Sequence, residues 1–289
     1  MFNYDLHSHS TVSDGTLTPS DLVRRARDKG VDVLALTDHD EVAGYGAAVV
    51  ESRRVGIQLL AGVEISVTWG RQTVHIVGLD VDPDSAGLVK GLSHLRDYRK
   101  WRGEEIGRRL ENAGFVDAYS GALEYQQGDL LTRTHYGRFL VGVGAVETMQ
   151  DAFKKYLLRG RPGYVSGKWA SMEEALQWIH DAGGVAVVAH PARYGMTRTK
   201  LRSMLGEFIE CGGEGLEVVS SSHNGNEIQT MGQHAVQLGL AASRGSDFHD
   251  PGNRWVELGR LPSLPKKCEP IWERWELGRH PRVPQTANR

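Results

Sequence analysis

The chain has 289 residues, 40% hydrophobic and 24% charged, with 34 Lys+Arg against 36 Asp+Glu. That composition suits one large globular domain or two smaller ones, and a formal net charge of −2 argues against a whole surface built to coat nucleic acid or anionic membrane, while leaving a local basic groove open. Cys211 and Cys268 lie far apart, form no CxxC pair and read as ordinary reduced thiols, so neither a disulfide framework nor a thiolate zinc site is suggested.

Thr18 is placed to cap a helix that opens on Pro19, carries Leu22, Val23 and Ala26 as its apolar stripe and stops at Gly30. A strand follows at 31–37, and further strands are expected at 57–64, 73–79, 185–189, 215–220 and 240–243, most of them separated by helices. Between Leu79 and Val185 no strand is expected. That stretch reads as helices, including a long one over 88–112 and another over 149–158. Ser171-Met172-Glu173-Glu174 is a capping box for a helix ending near Gly183-Gly184. These elements predict a barrel in two parts, 1–99 and 166–289, with a helical insertion subdomain at 100–165. The Pro-containing last 25 residues read as an irregular wrap that Trp272 and Trp275 pin to the barrel. Repeated β/α units point to parallel construction and a barrel-like α/β fold, whose reactive groups gather at the C-terminal strand ends.

Unusual polar residues fall at those ends. His7 and His9 close the first strand and, two apart, face one side of an extended chain. Alone, such a pair is a weak metal signal. Thr37-Asp38-His39-Asp40 ends the second strand, Glu64 the third, and His75 lies inside the fourth; His190-Pro191 follows the Val185 strand and Asp247-Phe248-His249 the last. Imidazoles and carboxylates without thiolates are the donors preferred by zinc, manganese and iron(II).

Asp5-x-His7-x-His9, Ser13-Asp14-Gly15, Thr37-Asp38-His39, Glu64, His75, Ala189-His190-Pro191 and Gly245-Ser246-Asp247-Phe248-His249, in that order and nearly end to end, resemble the PHP (polymerase and histidinol phosphatase) family of metal-dependent phosphoesterases. The resemblance implies a distorted (β/α)7 TIM-like barrel with three divalent metal ions. One ion would be held by His7, His9 and Asp247; Glu64 would bridge to a second, completed by His75 and His190; Asp14, His39 and His249 would hold the third. Asp14 stands where relatives often carry histidine, and a carboxylate there favours manganese, with Fe2+ or Zn2+ as alternatives. The implied catalytic residues are His39, Glu64, Asp247 and His249, with the general acid unassigned among His39, Asp247 and His249.

Ser13-Asp14-Gly15-Thr16, the insertion and Arg133-Thr134-His135 look most like the branch that removes the 3′-phosphate of nucleoside 3′,5′-bisphosphates, with AMP and phosphate as products, and that also trims short RNA from 5′ ends. Substrate contacts are expected from Arg99, Arg102 and Glu105 along one helix face, whose alternative is a solvated charged face, from Arg133, Thr134 and His135, and from Arg193 at the mouth. Lys168, Trp169, His223 and Asn224 are further candidates, while His94, His180, His234 and His280 read as surface or packing residues. Competing readings are a PHP phosphatase for another small ester, such as histidinol phosphate, and a non-catalytic PHP scaffold. No apolar run nears the roughly 20 residues of a membrane span, and the first residues lack the basic and apolar regions of a secretory signal; the expectation is a cytoplasmic enzyme with no membrane and no obligate protein partner.

Overall fold

The computed structural model describes residues 2–274. Seven strands run in one sheet in chain order: β1 (Tyr4–Asp5), β2 (Val33–Leu36), β3 (Gln58–Trp69), β4 (Gln72–Leu79), β5 (Val185–Val188), β6 (Gly215–Ser220) and β7 (Ala241–Gly245). The first and last strands meet: Leu6 N–H donates to the Arg244 carbonyl at 3.0 Å, Asp247 N–H to the His7 carbonyl at 2.9 Å and His9 N–H to the Phe248 carbonyl at 2.9 Å. The sheet is a nearly closed barrel. Side-chain alternation builds its two sides. Val33, Ala35, Leu60, Val77, Leu79, Val187 and Ala189 fill the interior with Tyr4 and Leu6. Leu34 and Leu36 turn outward onto α1 (Pro19–Asp28) and α2 (Tyr45–Val55), and Val63, Ile65, Val74 and Ile76 turn outward into the larger helical shell.

The expected all-parallel order fails at one strand. β4 is antiparallel to both β3 and β5, because β3 runs past Glu64 to Trp69 and returns at Gln72 through a two-residue turn. Gly70 takes the left-handed conformation, φ +56°, that such a turn needs. Glu64 therefore lies inside its strand, not at the end. The signal was present in Trp69-Gly70-Arg71-Gln72, a Gly-x pair between two β-branched runs.

Helix starts follow their caps. Thr18 Oγ1 accepts from Asp21 N–H at 3.1 Å, and Ser171 and Glu174 close their reciprocal box at the start of α7 (Met172–Asp181). No strand lies between Leu79 and Val185. The stretch holds α3 (Ala86–Asn112), α4 (Ala118–Leu123), α5 (Arg133–Gly142) and α6 (Met149–Ala152), the last running into a π-helix at Phe153–Leu157 where one helix was expected. α3 belongs to two cores: Leu88, Leu92 and Leu95 pack on the barrel shell, whereas Ile106 and Leu110 pack with Tyr136, Phe139, Leu140 and Val165 in a separate cluster. α8 (Arg198–Glu210), α9 (Gly225–Leu238) and α10 (Ile271–Arg274) complete the shell. Trp272 stacks on Tyr4, centroids 4.1 Å apart, which plugs the barrel floor; Trp275 and His280 lie outside the described residues. Among the described residues no helix is long and apolar enough to cross a membrane.

Candidate active site

Nine side chains from six regions of the chain converge at the barrel mouth: His7, His9, Asp14, His39, Glu64, His75, His190, Asp247 and His249. They form four overlapping groups, His9/Asp14/His39/His249, His7/Glu64/His190, His7/His9/Asp247 and His39/Glu64/His75, whose ligand atoms lie within 4.8 Å of one another. Glu64 is the hub. Its Oε1 is 2.8 Å from His75 Nδ1 and 2.9 Å from His190 Nε2, and its Oε2 is 2.7 Å from His39 Nδ1. Asp247 Oδ1 stands 3.2 Å from His9 Nε2 and 3.6 Å from His7 Nε2, and Asp14 Oδ1 lies 3.2 Å from His249 Nε2.

His7 Nε2, both nitrogens of His9, Asp14 Oδ1, His39 Nδ1, Glu64 Oε2 and His190 Nδ1 are buried without a hydrogen-bond partner. Orphaned buried polar atoms are costly, so a cluster of them, all competent N and O donors and mutually facing, fits a set of divalent cations. Electrostatics agree. Burial pushes Glu64 up, yet His39, His75 and His7 overcome it and hold the carboxyl well below its usual range; Asp14 is likewise held down against burial by His249 and His39. Burial lowers His9 to about 3 and His75 to about 4, keeping both imidazoles neutral as ligation requires, whereas against burial the facing carboxylates raise His7, His39 and His249, whose protons a bound cation would have to displace. Backbone strain concentrates here too: Asp40, His190 and Asp247 have φ of 50°, 28° and 54°.

The insertion reaches the same centre. Thr132 caps α5, accepting from Thr134 N–H at 3.1 Å, and its own N–H donates to His135 Nδ1 at 3.0 Å. Both Thr134 Oγ1, at 2.8 Å, and Thr132 Oγ1, at 3.2 Å, donate to Asp14 Oδ2. Beside them lie three guanidiniums. Arg99 is spent in part on Asp40 Oδ2 at 2.6 Å and Ser66 Oγ at 2.8 Å. Arg102 is buried, its Nε has no partner, and burial together with Arg133 and Arg99 pushes its pKa down to about 9. Burial and Arg99 lower Arg133 as well. Arg193 contributes at the mouth, 2.6 Å from Asp247 Oδ2.

Other expected residues have different partners. Glu105 pairs with Arg108 at 2.8 Å and Arg109 at 2.7 Å, away from Arg99 and Arg102, because the helix rotates it to a neighbouring face. Trp169 is covered by Arg99 and Arg102, 4.9 and 5.2 Å from its ring, with Nε1 donating to Thr73 Oγ1 at 3.0 Å, so its ring serves the arginines rather than a base. Lys168 is exposed. His223 accepts from Ala192 N–H at 3.4 Å and so props the turn carrying Arg193, and Asn224 caps α9. His94 is exposed and His234 buried, and His180 is 4.0 Å from Glu214.

The PHP domain family profile matches residues 5–185. The chain belongs to the PHP family of metal-dependent phosphoesterases. It is 46% identical over 96% of its length to a 3′,5′-nucleoside bisphosphate phosphatase of Chromobacterium violaceum, covering 97% of that protein. A 5′-3′ exoribonuclease of Haemophilus influenzae is 42% identical over 94% of this chain and 98% of its own. The fold superimposes with a TM-score of 0.91 on an amidohydrolase from Chromobacterium violaceum solved with bound sulfate and no metal, at 46% identity and covering 94% and 95% of the two chains.

Within this PHP site several residues escape sequence reasoning. Glu217, on β6, is 2% exposed; its Oε1 lies 3.2 Å from His7 Nδ1 and its Oε2 accepts the His190 N–H at 2.5 Å. Asp38 accepts from Ser10 N–H, Ser10 Oγ and Ser13 Oγ at 2.8, 2.7 and 2.6 Å, which shapes the loop bearing Asp14. Tyr194 Oη accepts from His75 N–H and donates to the Ala189 carbonyl, both at 2.8 Å. Glu217 sits one residue from ordinary strand valines, and an acidic residue in an otherwise apolar inner strand was the available signal.

Proposed function

We propose that the centre binds three divalent ions, manganese by preference and Fe2+ or Zn2+ as substitutes, and hydrolyses the 3′-phosphate of nucleoside 3′,5′-bisphosphates to the 5′-monophosphate and phosphate. The observation that carries the substrate is Arg102. A buried guanidinium with an unpartnered Nε, beside Arg133 and without a carboxylate ion pair among the described residues, is a site in want of an anion. A bisphosphate supplies two: one for the nine-residue centre and one for the arginine wall, with Thr134 and Asp14 between them.

In this reading His7, His9 and Asp247 hold one ion, Glu64, His75 and His190 the second, and Asp14, His39 and His249 the third. When bound, such ions lower the pKa of water towards about 7 and neutralise phosphoryl oxygens. Arg102 and Arg133 bind the 5′-phosphate, Arg99 supports them from its pairing with Asp40, and Arg193 adds a cation beside Asp247. Neutral His135, its pKa lowered to about 4 mainly by burial, braces Thr132 and thereby Asp14. His39, Asp247 and His249 are the groups in place to give a proton to the departing 3′-oxygen. A 5′-phosphorylated RNA end presents the same pair of groups, a 5′-phosphate and a 3′-phosphoryl ester, and the exoribonuclease relative favours trimming of such ends as a second activity.

The test is phosphate release by manganese-reconstituted protein from AMP bearing an added 3′-phosphate, a 5′-monophosphate, histidinol phosphate and a short 5′-phosphorylated RNA. Preference for the bisphosphate with AMP as product is expected. Turnover of histidinol phosphate alone would overturn the nucleotide assignment and keep the centre.

A further inference from the structure

A second basic feature stands apart from the arginine wall. Segment 154–168 holds Lys154, Lys155, Arg159, Arg161 and Lys168 without one Asp or Glu, in a chain of net charge −2. None of the five forms an ion pair among the described residues. Like charges gathered this closely repel one another and weaken the fold unless an anion meets them. The segment begins in the π-helix at Phe153–Leu157, an element frequent at functional sites.

The segment also walls a cavity of about 370 Å3, lined by Thr68, Arg71, Thr73, Arg159, Tyr164 and Ser166 among others. No lining residue is acidic, and Arg71 and Arg159 are both exposed and unpaired. Its position follows from strand alternation. His75 lies in the inward row of β4 that continues down to Val77 and Leu79, and Thr73 is the next inward position above it, about 7 Å along the strand. On β3 the row through Leu60 and Glu64 rises through Ser66 to Thr68. The cavity thus lies on the part of the β3–β4 hairpin that continues past Glu64 and His75, and Thr73 in its lining accepts from Nε1 of Trp169, the ring that Arg99 and Arg102 cover. Tyr164, which lines the cavity, is tied to the same helix as the wall, its carbonyl accepting from the guanidinium of Arg109 on α3. Beside it Tyr98 Oη donates to the Ser166 carbonyl at 2.7 Å, and Trp101, 5.4 Å from the Tyr98 ring, is 52% exposed. Cations beside exposed aromatic rings are the ingredients of single-strand binding.

We propose that this cavity and segment 154–168 form a track for the phosphodiester backbone of single-stranded RNA, engaged by oligonucleotides and left untouched by nucleoside bisphosphates. This rests on the nucleotide reading of the metal centre. A bisphosphate has both phosphates placed already, so the track serves a third.

The test uses the manganese holoenzyme and its Arg71→Ala/Arg159→Ala variant, with two readouts. The first is anisotropy of a labelled, 5′-phosphorylated, fully 2′-O-methylated octanucleotide across a salt series, which reports binding without turnover. The second is kcat/KM for the bisphosphate. The variant is expected to flatten the dependence of log affinity on log salt by about 0.7 for each lost phosphate contact and to bind the octamer roughly tenfold more weakly at low salt, with bisphosphate turnover unchanged. An unchanged salt slope, an equal loss on the bisphosphate, or tighter binding of a duplex than of the single strand would overturn the track. Absence of bisphosphate turnover in the parent would instead sink the catalytic reading, and the anisotropy series would still decide the track.

Discussion

Glu217 Oε1 faces Nδ1 of His7 at 3.2 Å, which directs the opposite nitrogen, Nε2, towards Glu64 and Asp247 at 3.5 and 3.6 Å. The same carboxylate holds the main chain of His190, so one residue of β6 orients two of the proposed ligands. Carboxylates behind metal-binding imidazoles fix the tautomer and raise ligand basicity. Glu217→Gln is expected to weaken divalent-metal affinity by roughly 10–100-fold without unfolding the barrel, measured by metal titration of chelator-treated protein. Parent-like affinity would remove Glu217 from the assembly.

Gly245 sets a steric limit on the same imidazole. A Cβ there would stand 2.2 Å from His7 Cβ and 2.7 Å from Glu217 Oε1. Gly245→Ala therefore has to displace His7, and the expected result is a stability loss of about 1–3 kcal/mol together with fewer ions retained per chain by elemental analysis. A variant that keeps its full metal complement would show that His7 can yield.

In its proposed role Arg102 would exchange stability for recognition. Burial and two neighbouring guanidiniums bring its pKa down to about 9, so the folded state carries a charge it disfavours at neutral pH. The penalty is complete below about 9 and shrinks as pH rises above it towards the usual guanidinium range. Arg102→Met, which keeps the volume and removes the charge, is expected to raise the melting temperature, by about 2–4 °C for each kcal/mol recovered. The same change is expected to raise KM for the bisphosphate by 10-fold or more, an estimate of roughly 1.5–3 kcal/mol for a lost charged hydrogen bond, while turnover of an aryl phosphate holds. Equal losses on the two substrates would contradict a recognition role.

His135 and His249 bend the pH profile in opposite senses. His135 is buried and neutral with its pKa lowered to about 4, so its contribution is complete above pH 6.5 and fades as pH falls towards 4, on the order of 3 kcal/mol at the acid end. Replacing it with Asn should soften acid unfolding. In His249 burial is outweighed by Asp14, which raises the pKa to about 9; that contribution is complete below 6.5 and lost as pH climbs through 9. Chelator-treated protein should therefore melt lower across that alkaline window, and His249→Ala should flatten the decline. Thermal melts from pH 4 to 10 check both.

Much of this architecture is legible in the chain because its determinants are local. Thr18-Pro19 and Ser171–Glu174 announce helix starts through their own side chains, and imidazoles at successive strand ends stand out against β-branched runs. The reversal of β4 is also local, but it rests on Gly70 alone, and an expectation of repeating β/α units masks it. Glu217 and the partnering of Glu105 are different. The first gains meaning only when β6 lies beside His7, which is 210 positions away, and the second depends on the rotation of α3 against two cores. Long-range packing decides such residues: the acid among the valines of β6 marks Glu217 as unusual, but nothing in its spacing names His7 and His190 as its partners.

The joint between β1 and β7 has a bearing on how the enzyme comes into being. His7 and His9 stand 240 positions before Asp247 and His249 in the chain, yet hydrogen bonds between their segments close the barrel and bring all four to one point. The centre can close only once β7 is present to pair with the β1 segment. A hydrolase divided this way is inert in any chain that has not yet made β7, because two of its three carboxylate-bearing segments would be present without the one that carries Asp247.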